Sequence, residues 1–139
     1  MYISVVAGRA YTNAYFGAGS GPIFIDDVQC SSSSSQLLEC SSRPILSHDC
    51  LHSADAGVGC EGTVHSMNMS MCFTFICLFY AAWCTDGQLR LAGGNIENEG
   101  RVEICISNRW GTVCDNSWGN TDAAVVCQQL GYSLEGWYV

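Results

Sequence analysis

Ten cysteines in a chain of 139 residues constrain the fold more than any other feature of this sequence. Small domains in oxidising compartments carry many disulfides because their hydrophobic cores are small, whereas cytosolic domains of this size keep few cysteines. The even count favours a disulfide framework, although spacing alone does not give the connectivity. A metal cage is the alternative: His48, Cys50 and His52 alternate, but the cysteines from Cys30 to Cys60 lack the paired C-x-x-C knuckles of zinc ribbons.

The last third of the chain carries a strand pattern followed by a helix pattern. Apolar and polar residues alternate from Val102 to Ile106, and Trp110 to Val113 continues the pattern after a turn, which predicts a β-hairpin. The next apolar residues share one helix face: Ala123, Val126, Cys127 and Leu130. One of residues 120–122 (Asn, Thr and Asp) can cap the start of this helix and Gly131 can end it. We expect the helix to dock on the hairpin.

Four motifs in this stretch occur in a recognisable order: GRVEI, WGTVCDNSW, DAAVVC and QLGY. With this order the stretch closely resembles the scavenger receptor cysteine-rich (SRCR) domain. A second match lies upstream, where NAYFGAGSGPIFIDDVQC, LLEC, HDC and HSADAGVGC, within residues 13–60, look like the second half of the same domain. The first half of the domain, Cys84 to Tyr132, therefore follows the second half.

The resemblance implies a small disulfide-rich α+β fold, in which a curved antiparallel sheet packs on one helix. It places the strand Ala56 to Cys60 beside the strand Gln88 to Leu91. The predicted organisation is a C-terminal SRCR half at residues 1–60, an apolar segment at 61–83 and an N-terminal SRCR half at 84–139.

This inverted order allows two architectures. In a slice through a tandem array, neither half has a complete core, since each has only about 50 residues. In a circular permutant the halves complete each other, the break falls in a loop between Tyr132 and Ala14, and residues 61–83 form the join. A flexible linker of that length spans on the order of 25 Å. We expect the slice as the biological context and the permutant as the lowest-energy state of the isolated chain.

The segment from Met67 to Cys84 contains a fourteen-residue apolar stretch from Met71, which is shorter than the ~17 to 25 residues of a transmembrane helix. A packed linker, a signal-peptide-like segment starting at Met67 and an imperfectly joined gene model all fit it. Asn68 begins a glycosylation sequon, usable only if this segment is lumenal. Residues 1–12 carry no recognisable export signal.

The resemblance also implies disulfide partners. It pairs Cys30 with Cys40, Cys50 with Cys114 and Cys60 with Cys127, of which the last two join one half to the other. Cys84 and Cys105 remain from the core set, and we pair them because they lie on neighbouring predicted strands. Cys72 and Cys77 can pair or stay free.

The formal net charge of −8, with five arginines and no lysine, excludes nucleic acid as a partner because that binding needs a basic stripe. An acidic surface suits calcium or a cationic partner. Some members of the family that the sequence resembles bind their ligands through calcium. Asp115 and Asn116 stand where the family usually has two aspartates, and Ser34 stands in place of a glutamate. We predict at most weak calcium binding and no other cofactor; the alternative is that Asp115 and Asn116 only cap a turn.

No catalytic constellation is recognisable. The three histidines, His48, His52 and His65, look like surface or loop residues, and no serine has a nucleophile-elbow context. We predict an extracellular or cell-surface module that binds proteins or other macromolecules without catalysis, with membrane attachment through other parts of a full-length protein. The alternatives are a structural spacer in a mosaic receptor, a non-catalytic piece of a secreted protease and a gene fragment.

Overall fold

The computed structural model describes residues 7–64, the upstream segment, and residues 83–133, the downstream segment. The upstream segment contributes strands β1 to β4, which span Gly8–Tyr11, Ile23–Ile25, Gly57–Cys60 and Thr63–Val64. It also has two single-turn 3-10 helices, Leu37–Glu39 and His52–Ala54. The downstream segment contributes β5 (Leu89–Ala92), β6 (Glu99–Ile106), β7 (Arg109–Val113), helix α1 (Asn120–Gln129) and β8 (Tyr132–Ser133).

One six-stranded sheet includes strands of both segments, in the order β1-β3-β6-β7-β2 with β5 also paired to β6. Strand β2 runs parallel to β7, and the other pairs are antiparallel. The sheet is therefore mixed, unlike the wholly antiparallel sheet that we expected. A separate pair, β4 with β8, also joins the two segments. The prediction of a small disulfide-rich α+β domain is confirmed.

The predicted hairpin is present. Strands β6 and β7 pair from Glu103↔Thr112 to Ile106↔Arg109. Ser107 and Asn108 form the two-residue turn with φ of 52° and 60°, the left-handed conformation that matches the twist of a hairpin. Residues 102–105 are all buried, so both faces of β6 are covered, although its alternating pattern predicted only one.

The N-cap of helix α1 lies one residue before the first of the predicted cap residues. Gly119 is the N-cap, and the Asp122 side chain folds back to accept a hydrogen bond from the Gly119 backbone N–H at 2.9 Å. Gly131, with φ of 90°, follows the end of the helix as predicted. The helix approaches β1 so closely that a Cβ on Gly8 would lie 2.6 Å from the Ala123 carbonyl carbon. Only glycine fits at this crossing.

The prediction that β3 lies beside β5 is wrong. At Arg101 of β6, Gly57 pairs on one edge and Ala92 on the other, so β6 lies between β3 and β5. Eight residues make β6 long enough for β3 and then β7 to share one of its edges. The other neighbour of β3 is β1, a strand within residues 1–12, which precede the motifs that carried the resemblance in the upstream segment.

Both segments fill a single core. The upstream residues in it include Ile25, Val28 and Val58, and the downstream residues include Val102, Ile104 and Val126. Trp118 closes one side, and its indole N–H donates to the Gly57 carbonyl at 3.0 Å. Since each segment supplies part of the same apolar cluster, neither contains a core of its own.

Candidate ligand-binding site

Four disulfides fix the loops of the domain. They are Cys30–Cys40, Cys50–Cys114, Cys60–Cys127 and Cys84–Cys105, with Cα–Cα distances of 4.5, 6.2, 5.5 and 5.9 Å. The resemblance implied the first three pairs, and the neighbouring predicted strands indicated the fourth. The second and third join the upstream to the downstream segment. Cys72, Cys77, Asn68 and His65 lie outside the described residues, so their predicted roles stay predictions.

Asp115 and Asn116, the predicted calcium residues, lie in the loop between β7 and α1. An Asp115 carboxylate oxygen accepts a hydrogen bond from the Asn13 backbone N–H at 2.6 Å, and the Asn116 side-chain amide donates to Asp49 at 3.1 Å. The Asp115 backbone N–H donates to the Ala54 carbonyl at 2.8 Å. These contacts tie the loop to three parts of the upstream segment.

Ser34 belongs to a loop of hydroxyl groups. Its Oγ accepts a hydrogen bond from the Ser31 backbone N–H at 3.1 Å, and it lines an open, uncharged cavity of about 410 Å³ beside the first turn of α1, with Asn120 and Thr121. At the other end of the loop, the Glu39 carboxylate accepts hydrogen bonds from the backbone N–H and the hydroxyl of Ser35. These bonds lower the pKa of Glu39.

The residues present are a poor fit to calcium, which takes six to eight oxygen ligands, usually with several carboxylates. Among the described residues, the one three-member group with metal-ligand spacing is Asp26, Cys50 and Cys114. Its two sulfurs are joined as a disulfide, and Asp26 pairs with Arg43 at 3.4 Å. The disulfide also removes Cys50 from the alternating His48 and His52 pattern. Weak calcium binding at Asp115 and Asn116 stays a prediction.

His52, one of the three histidines expected to be surface or loop residues, is half-buried at the start of the single-turn helix His52–Ala54. Its Nδ1 lies 2.9 Å from Asp55 Oδ2 and its Nε2 lies 2.7 Å from the Gly21 carbonyl oxygen. The buried Asp55 carboxylate also accepts a hydrogen bond from the Gly19 backbone N–H at 2.6 Å. Nε2 therefore holds the glycine-rich loop at residues 17–21 directly, and Nδ1 holds it through Asp55. The Thr112 hydroxyl lies 3.5 Å from Nδ1.

Three of the five arginines neutralise buried carboxylates. Glu103 lies between Arg90, at 2.7 Å, and Arg101, at 3.0 Å, and Arg43 contacts Asp26. The Arg90 guanidinium also stacks over the Trp110 ring, 4.2 Å from its centroid. These cations balance interior charge, so the net charge of −8 is expressed mainly by exposed acidic side chains. Sequence reasoning missed the pairs of Arg90 and Arg43 because their partners lie 13 and 17 residues away along the chain, whereas Arg101 is only 2 residues from Glu103.

The cross-segment disulfides, the mixed sheet and the loops tied together at its ends define a small, disulfide-stabilised module of the kind found in extracellular receptors. The family model of the scavenger receptor cysteine-rich domain matches residues 3–61 and 92–138. A "Scavenger receptor cysteine-rich domain superfamily protein" of Patiria pectinifera is 38% identical over 119 residues, which cover 86% of this chain and 8% of that protein. The chain belongs to the scavenger receptor cysteine-rich domain family.

The chain thus spans only about 8% of the length of the curated relative that it matches. Domains of this family are typically extracellular or on the cell surface. Within residues 7–64 and 83–133, no helix has the length and apolar character needed to cross a membrane.

Proposed function

We propose that this chain is a non-catalytic extracellular module that binds a cationic protein or other macromolecule. The observation that carries the proposal is the distribution of charge. Arg43, Arg90 and Arg101 pair with buried carboxylates. Other acids face solvent without such a partner, among them Glu61, Asp86 and Glu97. A surface with this excess attracts basic partners and speeds their association.

Family membership supports a binding role over a catalytic one. The histidine with the best catalytic surroundings, His52, has both ring nitrogens bonded to Asp55 and a backbone carbonyl, so it cannot also activate a nucleophile without breaking a structural bond. The alternatives of a structural spacer, a piece of a secreted protease and a gene fragment differ from the proposal in predicting no ligand.

The test uses one carrier protein in two charge states. Immobilised full chain is exposed to lysozyme and to succinylated lysozyme, in which negative groups replace the lysine charges. We expect the chain to bind unmodified lysozyme, and this binding to weaken as the sodium chloride concentration rises, because salt screens electrostatic attraction. Equal binding of both forms, or of neither, would contradict a cationic ligand.

The order of the two halves supports a place in a tandem array. A match of 119 residues within a chain of 139 has to reach both sides of residues 61–83, so the Patiria pectinifera relative carries the two halves in the same order. We propose that this chain corresponds to the end of one repeat and the start of the next, and that its isolated form closes into one domain. Transcript sequence on both sides tests the context: flanking SRCR repeats are expected, whereas a protease module would contradict it.

A further inference from the structure

The turn at residues 44–47 carries an unusual residue at its third position. The Ser47 backbone N–H closes the turn on the Pro44 carbonyl at 2.9 Å, and Leu46 has a φ of 68°. Turns of this shape favour glycine at that position, because a side chain in the left-handed region costs roughly 1 to 2 kcal/mol. Strain of this kind persists where the surrounding structure imposes it, and it is concentrated at functional sites.

Burial does not offset the strain. The Leu46 side chain is 59% exposed, Ile45 is 42% exposed and Leu51 is 77% exposed. These are three of the eight large hydrophobic residues that are exposed within the described part of the chain, and they fall within seven consecutive positions. We call residues 44–51 the apolar loop. Neighbouring exposed apolar side chains of this size are typical of contact surfaces.

The apolar loop is anchored to the domain along its length. The Leu46 backbone N–H donates to the Phe24 carbonyl at 2.9 Å, and the Arg43 backbone N–H donates to the Asp26 carbonyl at 3.0 Å. The Cys50–Cys114 disulfide fixes the other end. The exposed leucines therefore project from a backbone with little freedom. Binding of a partner would cost little conformational entropy in this loop.

The charge around the loop determines the kind of partner. Asp49 lies within the loop with a side chain that is 72% exposed, and the nearest cation, Arg43, is 4.0 Å from it and closer to the buried Asp26. A second copy of this chain, with its net charge of −8, would be repelled. The complementary surface is an apolar face bordered by basic side chains.

We propose that the apolar loop is the docking site for a protein or peptide surface that combines an apolar face with lysine or arginine. Leu46 and Leu51 enter the apolar face and Asp49 contacts the basic border. This assignment rests on the proposed function and adds to it the contact site and the amphipathic character of the ligand.

The experiment uses the full chain and a fluorescent amphipathic helical peptide of leucine and lysine. Binding by anisotropy is compared for the unaltered chain, Leu46→Gly, Leu51→Ser and the matched control Ile96→Ser, which removes an exposed aliphatic side chain beside Glu97 in another loop. Leu46→Gly and Leu51→Ser should each weaken binding about 10-fold or more, which corresponds to about 1.4 kcal/mol. Ile96→Ser should keep the affinity within about 2-fold, a change of about 0.4 kcal/mol.

Thermal unfolding separates docking from a structural role. Leu46→Gly should leave the midpoint unchanged or raise it, because glycine accepts a positive φ without strain. Lost binding in a variant that is equally stable assigns the loop to the ligand. Equal weakening by Ile96→Ser, or equal binding of a leucine and glutamate peptide, would overturn the assignment. If lysozyme binds the chain but Leu46→Gly and Leu51→Ser weaken the binding of neither lysozyme nor the peptide, only the docking site is wrong. If neither lysozyme nor the leucine and lysine peptide binds the unaltered chain, the proposed function also fails.

Discussion

The downstream segment has regular secondary structure, whereas the upstream segment takes much of its conformation from the downstream one. Strands β5, β6 and β7 form consecutive antiparallel pairs before a ten-residue helix. Upstream, the strands have two to four residues and the remaining segments are loops and single turns. The difference shows that local sequence specifies the strands and helix of the downstream segment, whereas long-range contacts determine the conformation of the upstream segment.

Backbone hydrogen bonds between the segments show how this happens. The Ala56 N–H donates to the Val113 carbonyl at 2.8 Å, and the Ala56 carbonyl accepts from Val102 at 3.0 Å. Strand β2 is held in the same way, since the Cys114 N–H donates to the Ile25 carbonyl at 2.8 Å. Without β6 and β7, these upstream groups would lose their partners. The central claim is therefore that the two segments form one closed domain.

Removing a disulfide that joins the segments should have the largest effect. In the chain-entropy model, the 67-residue separation of Cys60 and Cys127 stabilises more than the 10-residue separation of Cys30 and Cys40, by about 1.5 to 2 kcal/mol. Cys60→Ala with Cys127→Ala should lower the free energy of unfolding by ~2 to 5 kcal/mol. Urea unfolding without reductant compares this double variant with Cys30→Ala together with Cys40→Ala, which should lose less. Equal losses would indicate that the upstream segment depends as much on its local bridge as on the downstream segment.

A methyl group at the crossing of β1 and α1 should have the next largest effect. In Gly8→Ala the new Cβ would lie 2.6 Å from the Ala123 carbonyl carbon and 2.7 Å from the Ala124 nitrogen, so the helix would have to move away from β1. Overpacking of this kind costs ~1 to 3 kcal/mol. Gly119→Ala is the control, because its Cβ would meet nothing closer than Asp122 Oδ2 at 3.8 Å. Chemical denaturation should rank Gly8→Ala as the more damaging, and the reverse order would argue against tight docking of the helix on β1.

Tyr132 tests the smaller contact between β8 and the rest of the domain. Its hydroxyl donates to the Glu97 carbonyl at 3.1 Å, and Tyr132→Phe should cost about 1 kcal/mol at neutral pH through loss of this bond. Burial, and then the Glu97 carboxylate, raise the pKa of Tyr132 above 10.0. The neutral phenol therefore contributes stability that is complete below pH 10.0 and is lost as pH rises through the higher folded-state value.

The stability difference between the unaltered chain and Tyr132→Phe should accordingly narrow in alkaline solution. Urea unfolding of both proteins at neutral pH and above pH 10.0 measures it. A difference that does not change with pH would mean that the phenol is not buried against Glu97 in solution.

Calcium should have the smallest effect, although its predicted ligands come from both segments. With Ser34 in the upstream segment and Asp115 and Asn116 in the downstream segment, calorimetric titration should show no binding tighter than about 1 mM. Ser34→Glu should strengthen binding if the loop can approach Asp115, and Ser33→Glu is the neighbouring control. Micromolar binding by the unaltered chain would contradict the prediction and would require other carboxylates in the site.

The sequence predicted most of the downstream segment because its signals are local. Alternation around Ile104 and the glycine after Leu130 defined the hairpin and the end of the helix, as the structure has them. The resemblance supplied the partners of three disulfides, which spacing could not give, and the neighbouring predicted strands indicated the fourth, Cys84–Cys105. Strand β1 and the mixed sheet were missed, because four residues such as Gly8–Tyr11 acquire strand geometry only by pairing with β3.

The candidate site was predicted less well for a related reason. The sequence named Asp115 and Asn116 by position, but their hydrogen-bond partners, the Asn13 backbone and Asp49, lie far away in the chain. The strain at Leu46 comes from its positive φ, and a leucine in the sequence does not predict a positive φ. The half-buried position of His52 likewise depends on Asp55 together with Gly21, which only the folded loop brings near.

Non-reducing peptide mapping after oxidative refolding tests the closed domain most directly. A disulfide needs Cα atoms about 4.4 to 6.8 Å apart, a condition that separate halves would meet only by accident. We predict peptides in which Cys50 is linked to Cys114 and Cys60 to Cys127, whose Cα–Cα distances of 6.2 and 5.5 Å lie within this range. Recovery of these four cysteines as free thiols, or linked only between chains, would contradict a single domain closed by both segments.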